Sequence, residues 1–107
     1  MRKGSTEFLI LSLLMERPMY GYEISQQLKL RSGGYFEMKE GLLYPALHRM
    51  RQNGLLSTEW RVVCGRRRKY YSLTSLGKDA LGEQAAEWKT FVDALHALLR
   101  GNELWTE

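Results

Sequence analysis

Apolar residues at helical spacing in the first half of the chain predict three helices. The first begins at Ser5 or Thr6, either of which is a good N-cap, and continues through an apolar run over residues 8–15. Because apolar side chains occupy nearly every side of this helix, we expect it to be buried. It ends before Pro18, since proline disfavours helical geometry in the residue that precedes it.

A second helix is predicted over residues 20–28, with Ile24 and Leu28 facing inward. Gly33 and Gly34 follow in a loop of about eight residues that leads to the third helix.

The third helix is predicted within residues 39–53. Its apolar stripe consists of Leu43, Ala46, Leu47 and Met50. Pro45 is tolerated only near the first turn, so the regular helix should begin close to Gly41. Asn53 and Gly54 form a C-terminal stop, because glycine adopts the left-handed conformation freely.

Alternation replaces helical spacing after residue 54 and predicts a β-hairpin. One face of its first strand carries Leu56, Thr58, Trp60 and Val62. The second strand, around residues 69–73, sends Tyr71 and Leu73 to a common face. Gly65 supplies the positive φ angle that a tight turn requires. The hairpin should therefore project the four consecutive cations Arg66, Arg67, Arg68 and Lys69 at or beside its tip.

Thr74 is a suitable N-cap for a last helix of about 25 residues that reaches Leu99 or Arg100. Apolar residues spaced 4-3-4-3-4 form a heptad seam along it: Leu81, Ala85, Trp88, Val92, Leu95 and Leu99. The early part, around Leu76 and Leu81, can pack on its own domain. From Trp88 onward the helix extends beyond the surface that this domain can cover, so we expect the seam to be a dimer interface with a second copy.

The predicted fold is mainly α with a small β-hairpin: a winged helix-turn-helix followed by one long C-terminal helix. Residues 1–73 form the winged-helix DNA-binding domain. We expect residues 74–107 to form a C-terminal dimerisation helix that is continuous with it. The third helix is then the recognition helix, and the hairpin is a wing that lies along phosphates.

Charge is distributed unevenly along these 107 residues. Residues 1–73 carry 13 Lys and Arg against 6 Asp and Glu, whereas residues 74–107 carry 3 against 6. A basic body followed by an acidic helix suggests that only the first part meets a polyanion. No apolar stretch approaches the roughly 20 residues of a membrane span, so we expect a cytoplasmic, nucleoid-associated protein with no membrane partner.

No arrangement of residues typical of an enzyme is present. His48 and His96 lie on different predicted elements, and no Gly-rich phosphate loop follows a strand. The single cysteine, Cys64, excludes an internal disulfide, and the histidines and cysteine lack zinc-ligand spacing. We therefore predict no catalysis, no metal and no cofactor. Cys64 beside the arginines is favourably placed for redox sensing, but an incidental small turn residue explains it better.

Several separated motifs resemble the PadR family of transcriptional regulators. They are PMYGYEI at residues 18–24, GLLYPALHRM at 41–50, NGLL at 53–56, and GRRRKYYSLT at 65–74 followed by Gly77. The resemblance extends from about residue 5 to 99. A single C-terminal helix, instead of a larger helical domain, is similar to the short PadR subgroup.

This resemblance implies a homodimer that binds a two-fold-related operator in double-stranded DNA and usually represses. It further implies release by a small aromatic or drug-like effector, with Trp88 stacking on it between subunits. The DNA-binding positions that it implies are Tyr20, Tyr44, His48 and Arg49, then Arg66, Arg67, Arg68, Lys69 and Tyr70 in the wing. The start of the recognition helix adds Lys39, Gly41, Leu42 and Pro45 as expected contacts, since this end of the helix addresses the major groove. Trp88 also lies on the heptad seam, so dimer core alone can explain it.

The recognition helix departs from the family pattern at its start. Many members have a Ser and then a Gly-Thr pair there, whereas this chain has Lys39, Glu40, Gly41 and Leu42. A hydroxyl N-cap and a polar groove-facing side chain are lost, so the operator preferences of the family do not transfer.

The main alternative is a winged-helix module that binds RNA or an acidic protein partner. A dedicated RNA binder usually exposes aromatic rings on a sheet to stack on unpaired bases. We expect the aromatic residues of this hairpin to share a face with Leu56 and Leu73 instead, which favours duplex DNA.

Overall fold

A computed structural model describes residues 5–102 and contains four helices and a three-stranded antiparallel sheet. The elements are α1 (Ser5–Leu14), β1 (Met19–Tyr20), α2 (Gly21–Arg31), α3 (Glu40–Gln52), β2 (Leu56–Val63), β3 (Arg66–Leu73) and α4 (Ser75–Leu99). This is the predicted winged helix with a long C-terminal helix. The two predicted regions also include residues 1–4 and 103–107, which lie outside the described residues.

The core forms where α1, α2 and α3 pack against the base of the sheet. All four residues of the predicted α3 stripe are buried, as are Ile24 and Leu28 of α2. The remaining core residues include Ile10, Leu11, Met19, Leu56 and Tyr71. Burial of this apolar surface holds the three helices and the base of the sheet together.

Helix α1 is less buried than its apolar pattern predicts. Ile10, Leu11, Leu13 and Leu14 are buried, but Phe8 and Leu9 are half-buried and Ser12 is exposed. The outer side of α1 is covered by α4, where the Gln84 side-chain amide donates to Glu7 Oε1 at 2.9 Å. The first helix therefore joins the core on one side and α4 on the other.

The sheet contains one strand more than the sequence pattern predicts. β1 has two residues and pairs with β3, so the strand order is β1-β3-β2, with Met19 opposite Tyr71 and Tyr20 opposite Tyr70. A strand of two residues shows no alternation that could be read from sequence. It ties the start of α2 to the base of the wing, and α2 begins at Gly21 with Tyr20 as its N-cap residue.

β2 and β3 form the predicted hairpin, with Val63 opposite Arg66 and Cys64 and Gly65 as its two-residue turn. Both turn residues have positive φ angles, 54° at Cys64 and 75° at Gly65. Two positive φ angles are the signature of the type I′ turn that matches the twist of hairpin strands. Burial falls from Leu56 at the base toward Val62, which is 74% exposed near the tip.

Helix α4 begins against the body of the domain and then projects from it. Thr74 caps its first turn, and Ala80 and Leu81 pack against the core. Gly77 is its one buried residue, and Phe91, Val92, Leu95 and Leu98 are exposed. Among residues 5–102, no helix combines the length and the apolar content needed to cross a bilayer.

Candidate nucleic-acid interface

The outer face of α3 presents most of the residues that the sequence predicts for groove contact. Lys39 is its N-cap residue and makes no side-chain capping bond. Six predicted contacts on α3 lie away from the buried stripe and are exposed: Gly41, Leu42, Tyr44, Pro45, His48 and Arg49. A Cβ at Gly41 would meet no atom within 4 Å, so the first turn is open for close approach.

Tyr44 is packed against the start of α2. A Cβ at Gly21 would lie 2.6 Å from the Tyr44 hydroxyl oxygen, so the ring lies directly on the Gly21 backbone. Tyr44 nevertheless remains 43% exposed. The glycine thus allows α2 and the first turns of α3 to approach closely, with a tyrosine at their junction.

One face of the hairpin places cations over aromatic rings near the cleft with α3. The Arg67 guanidinium carbon lies 4.5 Å from the centroid of the Trp60 ring, and Lys69 Nζ lies 5.8 Å from the centroid of Tyr71. Trp60 lies opposite Lys69 in the strand register and is 55% exposed. The ring quadrupole attracts each cation and restricts its position, so the stacked groups are partly pre-oriented.

The opposite face of the hairpin carries a second set of stacked arginines. The rings of Tyr20 and Tyr70 meet edge to face with centroids 5.5 Å apart. Arg68 lies 4.4 Å from the centroid of Tyr20, and Arg61 lies 4.5 Å from the centroid of Tyr70. Arg61 also pairs with Glu59 at 3.2 Å. The wing is therefore basic on both faces.

The prediction that the aromatic residues of the hairpin share one face is wrong for Tyr70. Trp60 and Tyr71 lie on the face of Leu56 and Leu73, but Tyr70 pairs with Tyr20 and Glu59 on the other side. The added strand β1 creates this second aromatic pair. Guanidinium groups lie over both rings, so these rings are not an open platform for unpaired bases.

A cleft of about 420 Å³ separates the start of α3 from the wing, and it brings together predicted contacts from three elements. Its walls are Tyr20, Gly21, Tyr44, Trp60, Arg68, Lys69 and Tyr71. Burial raises the pKa of the Tyr71 phenol above its ordinary value, with a further contribution from Tyr44. Tyr71 is thus neutral at physiological pH, and the positive charge of the cleft comes from Arg68 and Lys69.

The sequence interpretation missed three participants: Gly21, Trp60 and Arg61. The sequence pattern places Trp60 on the inner face of the hairpin and Gly21 in a motif, but it connects neither residue to a cation or to Tyr44. The cross-strand register explains these contacts. Arg67 and Trp60, like Arg61 and Tyr70, are diagonal neighbours on one face of the antiparallel pair, within reach of long side chains. Once the turn fixes the register of the two strands, an Arg diagonal to a Trp or Tyr on the same face indicates such stacking.

Along α4, Trp88 packs within its own chain. Its ring stacks on Phe8 with centroids 5.9 Å apart and an interplanar angle of 15°, and it meets Phe91 edge to face at 5.9 Å. Leu81 packs against the core of its own chain, as the alternative interpretation of the early seam predicts. Ala85, Val92 and Leu95 are exposed, and Leu99 is half-buried.

Residues 5–102 contain no group of three or more His, Cys, Asp or Glu side chains able to hold a metal ion. Cys64 is exposed at the hairpin turn.

Residues 10–83 match the transcriptional regulator PadR-like family. A transcriptional regulator of Mycobacterium tuberculosis is 37% identical over 82 residues, which cover 77% of this chain and 74% of that protein. The crystal structure of a PadR-like transcriptional regulator from Bacillus cereus is 32% identical, with a TM-score of 0.82 and coverage of 94% of this chain and 96% of that one.

A further similarity is to Bacillus subtilis PadR, whose crystal structure was solved in complex with operator DNA. It has a TM-score of 0.72, is 24% identical, and is matched over 79% of this chain and 48% of its own length. At that identity the similarity concerns the fold. Taken with the family match over most of the winged-helix domain, these relatives show that the protein belongs to the PadR-like family of transcriptional regulators.

Proposed function

We propose that this regulator binds a two-fold-related operator in double-stranded DNA as a homodimer and represses transcription, acting on the nucleoid in the cytoplasm. The observation that carries the proposal is the cleft between α3 and the wing. There Arg68, Lys69 and three tyrosine rings converge beside an exposed recognition helix. Bacillus subtilis PadR, which has the same fold, forms a complex with operator DNA.

The wing is the proposed phosphate anchor. Its exposed tip carries Arg66 and Arg67, and the stacked Arg68 and Lys69 continue the positive charge toward α3. A stacked guanidinium keeps the N–H groups at its rim available to phosphate oxygens, because only its flat face is covered. Each phosphate that the wing neutralises releases condensed counterions, so its contribution depends on salt and little on sequence.

Helix α3 is the proposed source of sequence selectivity. Lys39, Gly41 and Leu42 stand at its exposed start, and His48 and Arg49 lie further along the same outer face. Side chains near the start of a recognition helix reach base edges in the major groove. Tyr20, Tyr44, Pro45 and Tyr70 border these groups and are proposed as backbone contacts.

A salt titration of duplex DNA binding tests this proposal. Anisotropy is measured with a palindromic duplex, a random duplex and single-stranded RNA at several salt concentrations. We expect preference for the palindrome and a steep log–log slope. Changing Arg66, Arg67 and Arg68 to Ala should weaken all duplexes similarly and flatten the slope by about 2–3.

A matched control removes three cations elsewhere. Lys78 and Lys89 on α4 and Arg100 directly after it, all exposed, are changed to Ala, which alters net charge equally outside the proposed interface. This control should retain the slope of the wild type. A slope near zero for the wild type, or tighter binding of RNA than of the palindrome, contradicts the proposed function.

We further propose that Trp88 contacts a flat aromatic effector at the dimer interface. Phe8 already lies on one face of the indole, so a ligand must displace Phe8 or use the opposite face. Planar aromatic cations or phenolics should quench tryptophan fluorescence in the wild type but not in Trp88→Ala, after subtraction of the signals of Trp60 and Trp105. Trp105 lies outside the described residues. Quenching that persists in the variant removes Trp88 from the proposal.

A further inference from the structure

A tight joint connects the end of the proposed recognition helix to the start of α4. Helix α3 ends in a Schellman motif: Gly54 has a φ of 78°, its N–H donates to Arg51 O at 3.0 Å, and Leu55 N–H donates to Met50 O at 2.9 Å. The carbonyl groups of Gly54 and Leu55 then point toward Thr74, the N-cap residue of α4.

Thr74 bonds to both sides of this joint. Its hydroxyl donates to Gly54 O at 2.5 Å and accepts from Gly77 N–H at 3.0 Å, and its own N–H donates to Leu55 O at 3.1 Å. One hydroxyl thus caps α4 and holds the turn after α3 at the same time. N-capping alone uses only the acceptor function of such a side chain.

Close backbone packing between α4 and the peptide after α3 adds to these hydrogen bonds. A Cβ at Gly77 would lie 2.2 Å from Leu55 O, so the first turn of α4 lies directly on the peptide that follows α3. Packed elements joined by several hydrogen bonds move together rather than bending independently. The direction of α4 is therefore fixed relative to α3 at this point.

We infer that Thr74 is a positioning residue for DNA binding: by locking α3 to α4, it sets the half-site spacing that the dimer accepts. The inference rests on the proposed function, in which α4 joins two copies and each α3 enters one half-site. In a rigid dimer, one inserted base pair rotates a half-site by about 35° out of register. A loosened joint would let each recognition helix follow its own half-site.

Substitutions at Thr74 separate the two roles of its hydroxyl. Thr74→Val keeps the shape of the side chain but loses both hydrogen bonds of the hydroxyl. Thr74→Ser keeps both of these bonds. Thr74→Asp keeps a capping acceptor, so α4 remains capped, but it has no donor for Gly54 O. Thr90→Val is the matched control, because the Thr90 hydroxyl bonds only to Ala86 O within α4 in the contacts described.

Binding is measured with a single half-site duplex, the two-half-site operator, and operators with one base pair inserted or removed. We expect the wild type, Thr74→Ser and Thr90→Val to lose at least tenfold in affinity on a change of spacing. Thr74→Val and Thr74→Asp should lose less than threefold, while their half-site affinity stays within twofold of the wild type. Undiminished spacing selectivity in both variants, or an equal loss on every duplex, overturns the inference.

A second experiment measures the distance between α3 and α4 in the absence of DNA. In a Cys64→Ser background, spin labels on cysteines introduced at the exposed positions Gln52 and Lys89 report the distance between α3 and α4. Labelled protein is diluted into unlabelled protein, so that only distances within one chain are recorded. We expect the distribution to broaden at least twofold in Thr74→Val and Thr74→Asp but not in Thr90→Val. If the distance distribution does not broaden in Thr74→Val and Thr74→Asp, Thr74 does not lock α3 to α4 and the inference is overturned. If it broadens but the wild type binds no duplex, the proposed function is contradicted instead.

Discussion

Gly77 occupies a position in α4 where a side chain has no room. The Leu55 carbonyl oxygen lies 2.2 Å from the place that a Cβ would take, and this neighbour is backbone rather than a flexible side chain. Two elements must separate if the space is filled, so the penalty is that of an overpacked core.

We predict that Gly77→Ala lowers the free energy of unfolding by about 2–3 kcal/mol. Gly82 is the control, because it lies in the same helix and a Cβ there would meet nothing within 4 Å. Gly82→Ala should raise the free energy of unfolding by up to about 1 kcal/mol through helix propensity. Urea unfolding followed by circular dichroism, at one protein concentration, measures both. Equal stability of the two variants would contradict the steric argument.

Cys64, in the hairpin turn, is another residue whose position makes a specific demand on the backbone. Cys64 has a φ of 54°, a left-handed conformation that costs most side chains about 1–2 kcal/mol. Asparagine visits this region readily, and Asn-Gly is the preferred pair for a type I′ turn.

We therefore predict that Cys64→Asn raises the free energy of unfolding by about 0.5–1 kcal/mol, whereas the β-branched Cys64→Val lowers it. Hydrogen exchange of the β2 and β3 amides measures the effect where it arises. Slower exchange in the Val variant than in the Asn variant would show that the turn does not limit wing stability.

At the scale of elements, the wing depends on rings that hold its cations. Trp60 lies under Arg67 on one face, while Tyr20 and Tyr70 lie under Arg68 and Arg61 on the other. The short strand β1 supplies Tyr20, so the second face exists only because three strands are paired. The rings restrict the positions of the arginines that we propose as phosphate contacts.

We predict that Trp60→Leu weakens binding to every duplex about two- to fivefold, because an exposed cation–π contact contributes about 0.5–1 kcal/mol. Trp60→Phe retains a ring and should retain most of the affinity. In an Arg67→Ala background, Trp60→Leu should have little further effect. An effect of Trp60→Leu that is undiminished without Arg67 would place Trp60 itself on the DNA.

At the scale of the whole molecule, α4 extends beyond the surface that one chain offers it. Its first turns rest on the core, and Gln84 is hydrogen-bonded to Glu7 of α1. Beyond Trp88 the described contacts do not bury the seam, and Val92 and Leu95 remain 39% and 37% exposed. A second copy of the helix would cover an apolar seam of this spacing.

We predict that changing Leu95 and Leu99 to Glu yields monomers in analytical ultracentrifugation, because the charges would be buried against each other in a dimer. The control changes Ala86 and Ala97, which are exposed and off the heptad seam, to Glu. This control should sediment as the wild type does. A dimer that survives the Leu95 and Leu99 changes would place the interface elsewhere.

Most elements of the fold follow from local patterns in the sequence. Helical spacing predicts α1, α2 and α3, Thr74 marks the start of α4, and Gly65 marks the turn, all within a few residues of the structure. The α3 stripe is buried as predicted, because a period of 3.6 residues identifies one face of a helix. The basic wing and the exposed residues of the recognition helix could likewise be identified from residue order alone.

The element order, the core faces and the basic wing thus follow from the sequence alone, because propensity, periodicity and turn chemistry act between near neighbours in the chain. The existence of β1, the pairing of Tyr70 with Tyr20 and the hydrogen bond from the Thr74 hydroxyl to Gly54 depend instead on tertiary contacts. These contacts join residues far apart along the chain. Their pairing is set by how the packed elements meet, which no local pattern encodes.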